Sequence, residues 1–157
     1  MVSIVDGHQM LRTLLKREES YAIHALLYLN EFPGAPASQI AADLKLPAAF
    51  TAKVLRRLAE AGFVDSRSGR TGGVRLAKRL ADLSLLDVIE GMSGSFIIDT
   101  CQTELQCATT QRKGYCQLNA TWLALSLHFR EALSSVRLDT LADGPAETPA
   151  TREPHPA

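Results

Sequence analysis

The stretch from Ala37 to Leu76 decides the fold, and it reads ASQIAADLKLPAAFTAKVLRRLAEAGFVDSRSGRTGGVRL. Its beginning predicts a short helix that ends near Leu46-Pro47, because proline cannot continue a helix but suits the start of the next one. In the second helix apolar residues recur at helical spacing, and Gly62 closes it. The residues of this core-facing stripe are Phe50, Val54, Leu55, Leu58 and Ala61. The pattern predicts two helices joined by a tight turn.

The period of the apolar pattern changes after Gly62. Two β-prone runs at 63–64 and 74–76 flank SRSGRTGG, whose glycines suit a hairpin tip with positive φ. Two helices and a basic hairpin, or wing, form a winged helix-turn-helix, in which the second helix enters the major groove of DNA and the wing follows its backbone. The alternative is a small helical core with a solvated basic face, because short helix-turn-helix patterns also arise by chance. We therefore expect a mainly α fold with a small β-wing.

The second helix and the wing carry the residues predicted to contact DNA. Small residues at the start of the helix allow a close approach to the bases, and among them Ala49 offers a methyl group and Thr51 a hydroxyl group. With the apolar stripe turned inward, Thr51 and the helix cations are expected to face solvent. The cations predicted to hold phosphates are Lys53, Arg56, Arg57, Arg67, Arg70 and Arg75.

The formal net charge of zero hides an uneven distribution along the chain. Residues 1–80 hold 12 Lys and Arg against 7 Asp and Glu, whereas residues 81–157 hold 5 against 10. Between Lys45 and Arg79, 9 basic residues are opposed by only 2 acidic ones. The positive charge is therefore concentrated where the DNA contacts are predicted.

Several function classes are disfavoured by what the sequence lacks. No apolar run approaches the roughly 20 residues that span a bilayer, and the N-terminus has no signal-peptide core. We therefore expect a cytoplasmic protein with no membrane partner. No Gly-rich phosphate loop or paired-carboxylate pattern stands out, which argues against an enzyme.

The winged segment belongs to a DNA-binding domain predicted over residues 1–80. Residues 1–12 are expected to be frayed, and 14–30 to form a largely buried helix. After this domain, Ser84 is a suitable N-cap, with an acidic residue three positions on, for a short helix over 85–91. This helix opens a connecting region over residues 81–117 whose later part is a loop.

A long helix over residues 118–141 is predicted to form the dimer. Its apolar stripe consists of Trp122, Leu125, Phe129, Leu133 and Val136. A helix of this length has too little of its own small domain to pack against, so pairing with a second copy is expected ahead of folding back on its own core. Such a dimer would present two reading helices to a palindromic operator. Residues 142–157 are rich in Pro and Ala and are expected to form a disordered tail.

Three cysteines lie in the connecting loop with the spacing C-x5-C-x8-C, namely Cys101, Cys107 and Cys116. Because thiols stay reduced in the cytoplasm, an odd number of cysteines argues for a metal, a cluster or redox sensing. The absence of a C-x2-C pair disfavours a zinc finger, although three thiolates and one other ligand could still hold zinc. Three thiolates in a short loop suit an iron–sulfur cluster. The alternative is three unrelated, simply buried cysteines.

The combination of these motifs resembles a known family of regulators. YAIHALLYL, IAADLKLPAAFTAKVLRRLAEAGFV, SGRTGGVRLAK and LSLLDVIEGM, followed by the three cysteines and Trp122 in a long helix, look like the bacterial IscR and NsrR type of winged helix-turn-helix transcription regulator. The resemblance covers residues 14–141. It implies a homodimer that binds DNA and often carries a [2Fe–2S] or [4Fe–4S] cluster, whose state reports on redox stress, nitric oxide or iron–sulfur supply.

This resemblance implies that the three cysteines are cluster ligands. The chain differs from its relatives at the positions that supply their fourth ligand. The IscR type has a histidine where this chain has Asn119, and the NsrR type has an aspartate where it has Ser20. Another relative uses a histidine and a glutamate, of which His24 matches the first and Glu19 is one residue off the second. We therefore expect His24 or Glu19 of the second subunit as the fourth ligand, the alternative for His24 being a structural role. In the wing, Ser68 replaces an arginine of the IscR type.

The leading functional prediction is a repressor whose DNA affinity is set by an iron–sulfur cluster, with [2Fe–2S] preferred over [4Fe–4S], and the cluster can be absent from isolated protein. One alternative is a cluster-free thiol switch in which a pair such as Cys101 and Cys107 forms a reversible disulfide. Another is a protein-interaction module that uses the long helix to dock a partner. The basic wing argues against this last alternative.

Overall fold

The structure is a computed structural model that describes residues 2–5, 9–67, 69, 72–103 and 107–142. The predicted phosphate contact Arg70, the departure at Ser68 and residues 143–157 of the predicted tail lie outside the described residues. The strands, in chain order, are β1 (Val2–Val5), β2 (Gln9–Arg12), β3 (Val64–Arg67) and β4 (Gly73–Leu76). The helices are α1 (Arg17–Glu31), α2 (Ala37–Asp43), α3 (Ala48–Glu60), α4 (Leu85–Ser93), α5 (Ala108–Lys113), α6 (Gln117–Ser135) and α7 (Asp139–Ala142).

The N-terminal residues form a hairpin instead of the frayed end that the sequence predicts. β1 pairs with β2 in antiparallel register, from Val2 opposite Arg12 to Val5 opposite Gln9. β1 is the sequence VSIV, and its β-branched residues favour an extended backbone. The prediction of a frayed terminus is therefore wrong for these eight described residues.

The core joins α1 to the helix-turn-helix and to α4. α1 buries Ala22, Leu26 and Leu29, which lie one helical turn apart on the same face. They pack with residues of α2, α3 and α4. The largest fully buried side chains are Leu26, Leu29, Ile40, Leu58, Leu138 and Val88. Burial of each such side chain contributes about 1.5–3 kcal/mol to the free energy of unfolding. The central core therefore holds α3, the helix predicted to enter the major groove and called the reading helix below.

The wing is the antiparallel pair β3–β4, with Val64 opposite Leu76. Its base is fixed to the connection between α1 and α2, since Gly34 N donates to Val74 O (2.9 Å) and Val74 N donates to Ala35 O (3.0 Å). Gly73 has φ +155°, and a Cβ there would lie 2.0 Å from Gly34 O. Only glycine allows this approach of the two backbones.

The cap predicted for the connecting helix is confirmed. Ser84 Oγ accepts from Asp87 N (3.2 Å), and the Asp87 carboxylate accepts from Ser84 N (2.8 Å). α4 extends beyond the predicted end, to Ser93, where Gly94 adopts φ +85°. A membrane-spanning segment is not found among the helices of the described residues.

The long C-terminal helix is confirmed, but its predicted end is wrong. α6 stops at Ser135, and Val136 is extended. Leu85 N donates to Val136 O (3.0 Å), and Leu138 N donates to Leu83 O (2.9 Å). These contacts draw the fully buried Leu138 into the core. Tertiary pairing with the start of α4 thus overrides the helical pattern that continues past Ser135.

Candidate functional site

α3 presents a basic face while its apolar stripe is buried. Val54, Leu55 and Leu58 lie in the core. Ala49, Lys53 and Arg56 are exposed and Arg57 is half-buried. The stripe holds α3 so that these four residues remain outside the core, as a DNA-reading helix requires.

Thr51 does not face solvent as the sequence predicts. Its side chain is 2% exposed, and its hydroxyl donates to Pro47 O (3.2 Å). Thr51 lies one turn before Val54 and Leu55, so it shares their inward face, and the hydroxyl is satisfied by the preceding turn. The expectation that Thr51 is a solvent-facing base contact is therefore wrong.

Two of the cations on α3 have acidic partners that sequence analysis missed. Lys53 Nζ lies 2.9 Å from Oε1 of Glu18 on α1. Arg56 Nε lies 3.7 Å from Oε1 of Glu60, one turn further along α3, in an exposed pair. The hydrogen bond from Lys53 is the main cause that lowers the pKa of Glu18. The spacing of Arg56 and Glu60 was a signal for the second pair, whereas 35 residues separate the partners of the first.

The start of α1 also supplies a cation beside α3. The Arg17 guanidinium lies 5.1 Å from the ring centroid of Phe50 and 5.6 Å from that of Tyr21. The two rings meet edge to face at 5.7 Å. Phe50 is therefore covered on one side by residues of α1, and its other side remains partly exposed, so that it is half-buried. Arg17 adds a positive charge at the N-terminal end of the reading helix.

Two predicted phosphate contacts of the wing lie on its strands. Arg67 is exposed at the end of β3, opposite Gly73. Arg75 is exposed on β4, and its guanidinium covers Gly34, where a Cβ would lie 2.9 Å from Nη2. Arg75 thus also stabilises the base of the wing, whereas Arg67 lies toward its tip.

The three cysteines are partly exposed free thiols. Cys101 lies in a short 3-10 turn, Cys107 precedes α5, and Cys116 is the N-cap residue of α6. Asn119 connects two of them: its backbone N donates to Cys116 Sγ (3.4 Å), and its Nδ2 donates to Cys101 O (2.7 Å) and lies 3.9 Å from Cys101 Sγ. Asn119, in the first turn of α6, therefore contacts both Cys101 and Cys116.

The surroundings of Cys101 and Cys107 shift the pKa values of their thiols in opposite directions. A hydrogen bond to the Asp99 carboxylate raises the pKa of the Cys101 thiol. The backbone N–H groups of Thr110 and Thr109 lower the pKa of Cys107. In the reduced protein Cys107 is accordingly the better thiolate of the two.

The donor set fits an iron–sulfur cluster in chemical type, although it is not gathered into one site within the described residues. Within the described residues, no three His, Cys, Asp or Glu side chains lie close enough together to hold a metal ion. The loop does provide three accessible thiols, the ligands that iron–sulfur clusters use. Cys101 and Cys116 already share Asn119. A cluster would require Cys107 to join them and one further donor.

The two predicted fourth ligands have different surroundings. His24 is exposed on α1, with its ring 5.9 Å from that of Tyr21, and it lines an open groove of about 830 Å³. Glu19 is 4% exposed, and its carboxylate accepts from Lys16 N (2.7 Å) as part of the cap of α1. His24 is therefore accessible from outside the fold, whereas Glu19 already caps its own helix.

α6 carries large apolar side chains on its surface. Of the predicted stripe, Trp122 and Leu133 are half-buried and Leu125 and Phe129 are exposed. Further exposed residues of this helix are Leu118, Leu123 and Leu127. So many exposed apolar side chains on one helix are typical of a protein–protein interface.

Comparison with known proteins identifies the family. The model of the family described as "Rrf2: Iron-dependent Transcriptional regulator" matches residues 15–144, and the chain belongs to this family. It is similar to protein aau3 of Rhizobium meliloti (strain 1021), with 30% identity over 136 residues, which cover 81% of this chain and 83% of that protein.

Two solved structures share the fold. T. potens IscR matches with a TM-score of 0.61 and 23% identity, covering 85% of this chain and 88% of that chain. CymR, described as the global cysteine regulator of B. subtilis, matches with a TM-score of 0.60 and 21% identity, covering 85% and 97%. The resemblance seen in the sequence is confirmed, as is the winged-helix fold. The protein is a DNA-binding transcription regulator and not an enzyme.

Proposed function

We propose that the protein is a homodimeric repressor whose cysteine segment, residues 99–119, controls its affinity for a palindromic operator in the cytoplasm. One observation carries the proposal: a basic reading helix and a thiol-bearing loop belong to one small fold and are connected through packed helices. α3 packs on α1, α1 on α4, and α4 on α6, whose N-cap is Cys116. A change at the cysteines can therefore bias the position of α3.

The dimer is proposed from the surface of α6. Its exposed leucines and Phe129 make pairing of two copies favourable through burial of apolar area. A two-fold axis would place two copies of α3 on symmetric half-sites. The wing cation Arg67 and the α3 cation Arg56 would then hold phosphates of each half-site.

The sensor is proposed to be an iron–sulfur cluster, with [2Fe–2S] preferred, held by Cys101, Cys107 and Cys116. Bound iron–sulfur chemistry would supply sensitivity to redox state or nitric oxide. His24 of the second subunit is proposed as the fourth ligand, because it is exposed while Glu19 caps its own helix. The protein's own contribution is to place Cys101 and Cys116 around Asn119 and to couple them to α6.

The test of this sensor is anaerobic purification followed by visible spectroscopy and counting of iron and acid-labile sulfide. We expect broad absorption at roughly 320–460 nm, as for thiolate-bound iron–sulfur centres, lost when all three cysteines are replaced by alanine. His24→Ala and Glu19→Gln compare the two proposed fourth ligands, and only the first is expected to reduce the cluster content. Colourless wild-type protein without iron after reconstitution would contradict the cluster assignment.

A second function, a cluster-free thiol switch, is favoured by the contacts that one residue makes with two of the cysteines. Asn119 contacts both Cys101 and Cys116, whereas Cys107 contacts the start of α5. A disulfide between Cys101 and Cys116 would form by loss of two hydrogens to an added azo oxidant such as diamide. Mass spectrometry after diamide treatment measures this loss. A decrease by the mass of two hydrogens in Cys107→Ser protein, but not in Cys116→Ser protein, would support this switch.

A further inference from the structure

Glu18, at the start of α1, faces the cations of the reading helix. Its Oε1 accepts a hydrogen bond from Lys53 Nζ at 2.9 Å. That hydrogen bond lowers the pKa of Glu18, and the charge of Arg57, one turn after Lys53, adds to the effect. The Glu18 side chain is 25% exposed and that of Lys53 51%. Glu18 therefore stays ionised and holds part of the basic face of α3.

The neighbouring side chains fix the first turn of α1 against α3. Arg17 lies over the rings of Phe50 and Tyr21, at 5.1 and 5.6 Å. The two helices also contact each other through the core. The partners Glu18 and Lys53 are thus presented to each other by packed elements, which reduces the entropy lost when the ion pair forms.

We propose that Glu18 is a specificity residue for DNA binding: it keeps Lys53 in an intramolecular ion pair and so withholds one cation from the phosphates of non-cognate DNA. The inference rests on the assignment of α3 as the helix that faces DNA. Non-specific affinity comes almost entirely from phosphate contacts. A phosphate contact by Lys53 must first break its pair with Glu18. At an operator, base contacts and the phosphate contacts of Arg56 and Arg67 supply the affinity while Lys53 stays paired with Glu18, so the cost falls on non-cognate DNA and the ratio of specific to non-specific affinity rises.

A double-mutant cycle on the full chain tests the proposal with two short duplexes, one non-cognate and one carrying an operator selected from a random pool, over a range of salt concentrations. Glu18→Gln is expected to tighten binding of the non-cognate duplex several-fold, to change operator affinity less, and to steepen the dependence of log K on log salt for the non-cognate duplex by about 0.9, the value for one more phosphate contact. Lys53→Gln is expected to cost more affinity in the Glu18→Gln protein than in wild type. Glu31→Gln removes the same charge from the exposed far end of α1 and is the matched control.

The outcomes separate this inference from the proposed function. An equal cost of Lys53→Gln in both backgrounds would show that Lys53 already contacts phosphate, and would overturn the role of Glu18. Equal effects of Glu18→Gln and Glu31→Gln would overturn it as well, because they would reflect net charge alone. Unchanged binding in Arg56→Gln and Arg57→Gln proteins would instead remove α3 from the DNA interface. Thermal melts monitored by circular dichroism verify that each variant is folded.

Discussion

The reading region, from α2 to β4, and the cysteine segment, residues 99–119, are built in different ways. In the first, α3 lies on a core that includes the fully buried Ile40 and Leu58, and the wing is hydrogen-bonded to the α1–α2 connection. In the second, the three thiols are partly exposed and two of them are connected through Asn119. The reading surface is preformed, whereas the cysteine segment is partly exposed and, under the proposed function, is the part that changes on ligation or oxidation.

The comparison shows that the buried contacts that stabilise this small fold lie beneath the reading region and not in the cysteine segment. α3 and the wing must keep a fixed spacing to match DNA, and buried apolar contacts provide this. A sensor, as proposed for the cysteine segment, needs a second state of similar free energy, and segments with few buried contacts open at a low cost in free energy. The packed helices α1, α4 and α6 lie between the two regions. The Arg130–Glu90 ion pair joins α6 to α4 and, under the proposed function, is one contact through which a change at the cysteines would reach the core.

The largest expected effect comes from opening the core beneath the reading helix. Leu58→Ala is expected to lower the free energy of unfolding by roughly 2–5 kcal/mol, because it removes a fully buried side chain and leaves a cavity. Tyr115→Ala, at an exposed position of the cysteine segment, is expected to change it by less than about 0.5 kcal/mol. Chemical denaturation of both variants measures this contrast. Similar losses in both would contradict the division between a rigid and an adaptable region.

The base of the wing is expected to be the next most sensitive position. Gly73→Ala would force a Cβ to within 2.0 Å of Gly34 O at a φ of +155°. We expect a loss of about 1–3 kcal/mol of stability from this strain, and weaker DNA binding because the wing is displaced. Gly114→Ala is the matched control in the cysteine segment, since it also has positive φ but open space around the position of its Cβ. An equal loss of stability in the two variants would mean that the positive φ, and not the close approach to Gly34 O, causes the effect.

Neutralising a cation of the reading region is expected to have a smaller effect. Arg56→Gln and Arg67→Gln should each weaken DNA binding by about tenfold at moderate salt and reduce the salt slope by about 0.9, because one phosphate contact is lost. Arg112→Gln changes an exposed cation in α5 of the cysteine segment and should leave affinity unaltered. Titrations of a fluorescent duplex measure all three. A similar loss in Arg112→Gln protein would indicate a net-charge effect.

The smallest effect is a difference in thiol reactivity with pH in reduced, metal-free protein. The pKa of Cys107 is lowered by N–H groups of Thr110 and Thr109, and that of Cys101 is raised by Asp99. Because only the thiolate reacts, alkylation of Cys107 should become fast at a lower pH than that of Cys101. Mass spectrometry of iodoacetamide-treated protein measures both rates. The reverse order would contradict the pKa shifts assigned to Cys107 and Cys101.

Local signals were sufficient for much of the reading region. The spacing of apolar residues predicts α3 and its closure near Gly62, and the Ser84 cap predicts the start of α4. The cysteines were likewise found by residue type. The features that were missed depend on distant partners: Glu18 meets Lys53 across 35 residues, and Val136 is drawn out of its helix by the backbone of Leu85. Periodicity alone also predicted wrongly that Thr51 faces solvent, because the spacing of the apolar residues does not show whether a polar residue at the edge of their stripe is buried.

The measurement that tests the central claim most directly is the affinity of wild type and of the triple cysteine-to-alanine variant for an operator selected from a random duplex pool. Each protein is measured after anaerobic reconstitution and again after exposure to oxidant. We expect wild-type affinity to change by about 5–150-fold between the two states, the usual range of allosteric coupling, and the variant to show one constant affinity. Equal affinity of wild type in both states would contradict control of DNA binding by the cysteine segment.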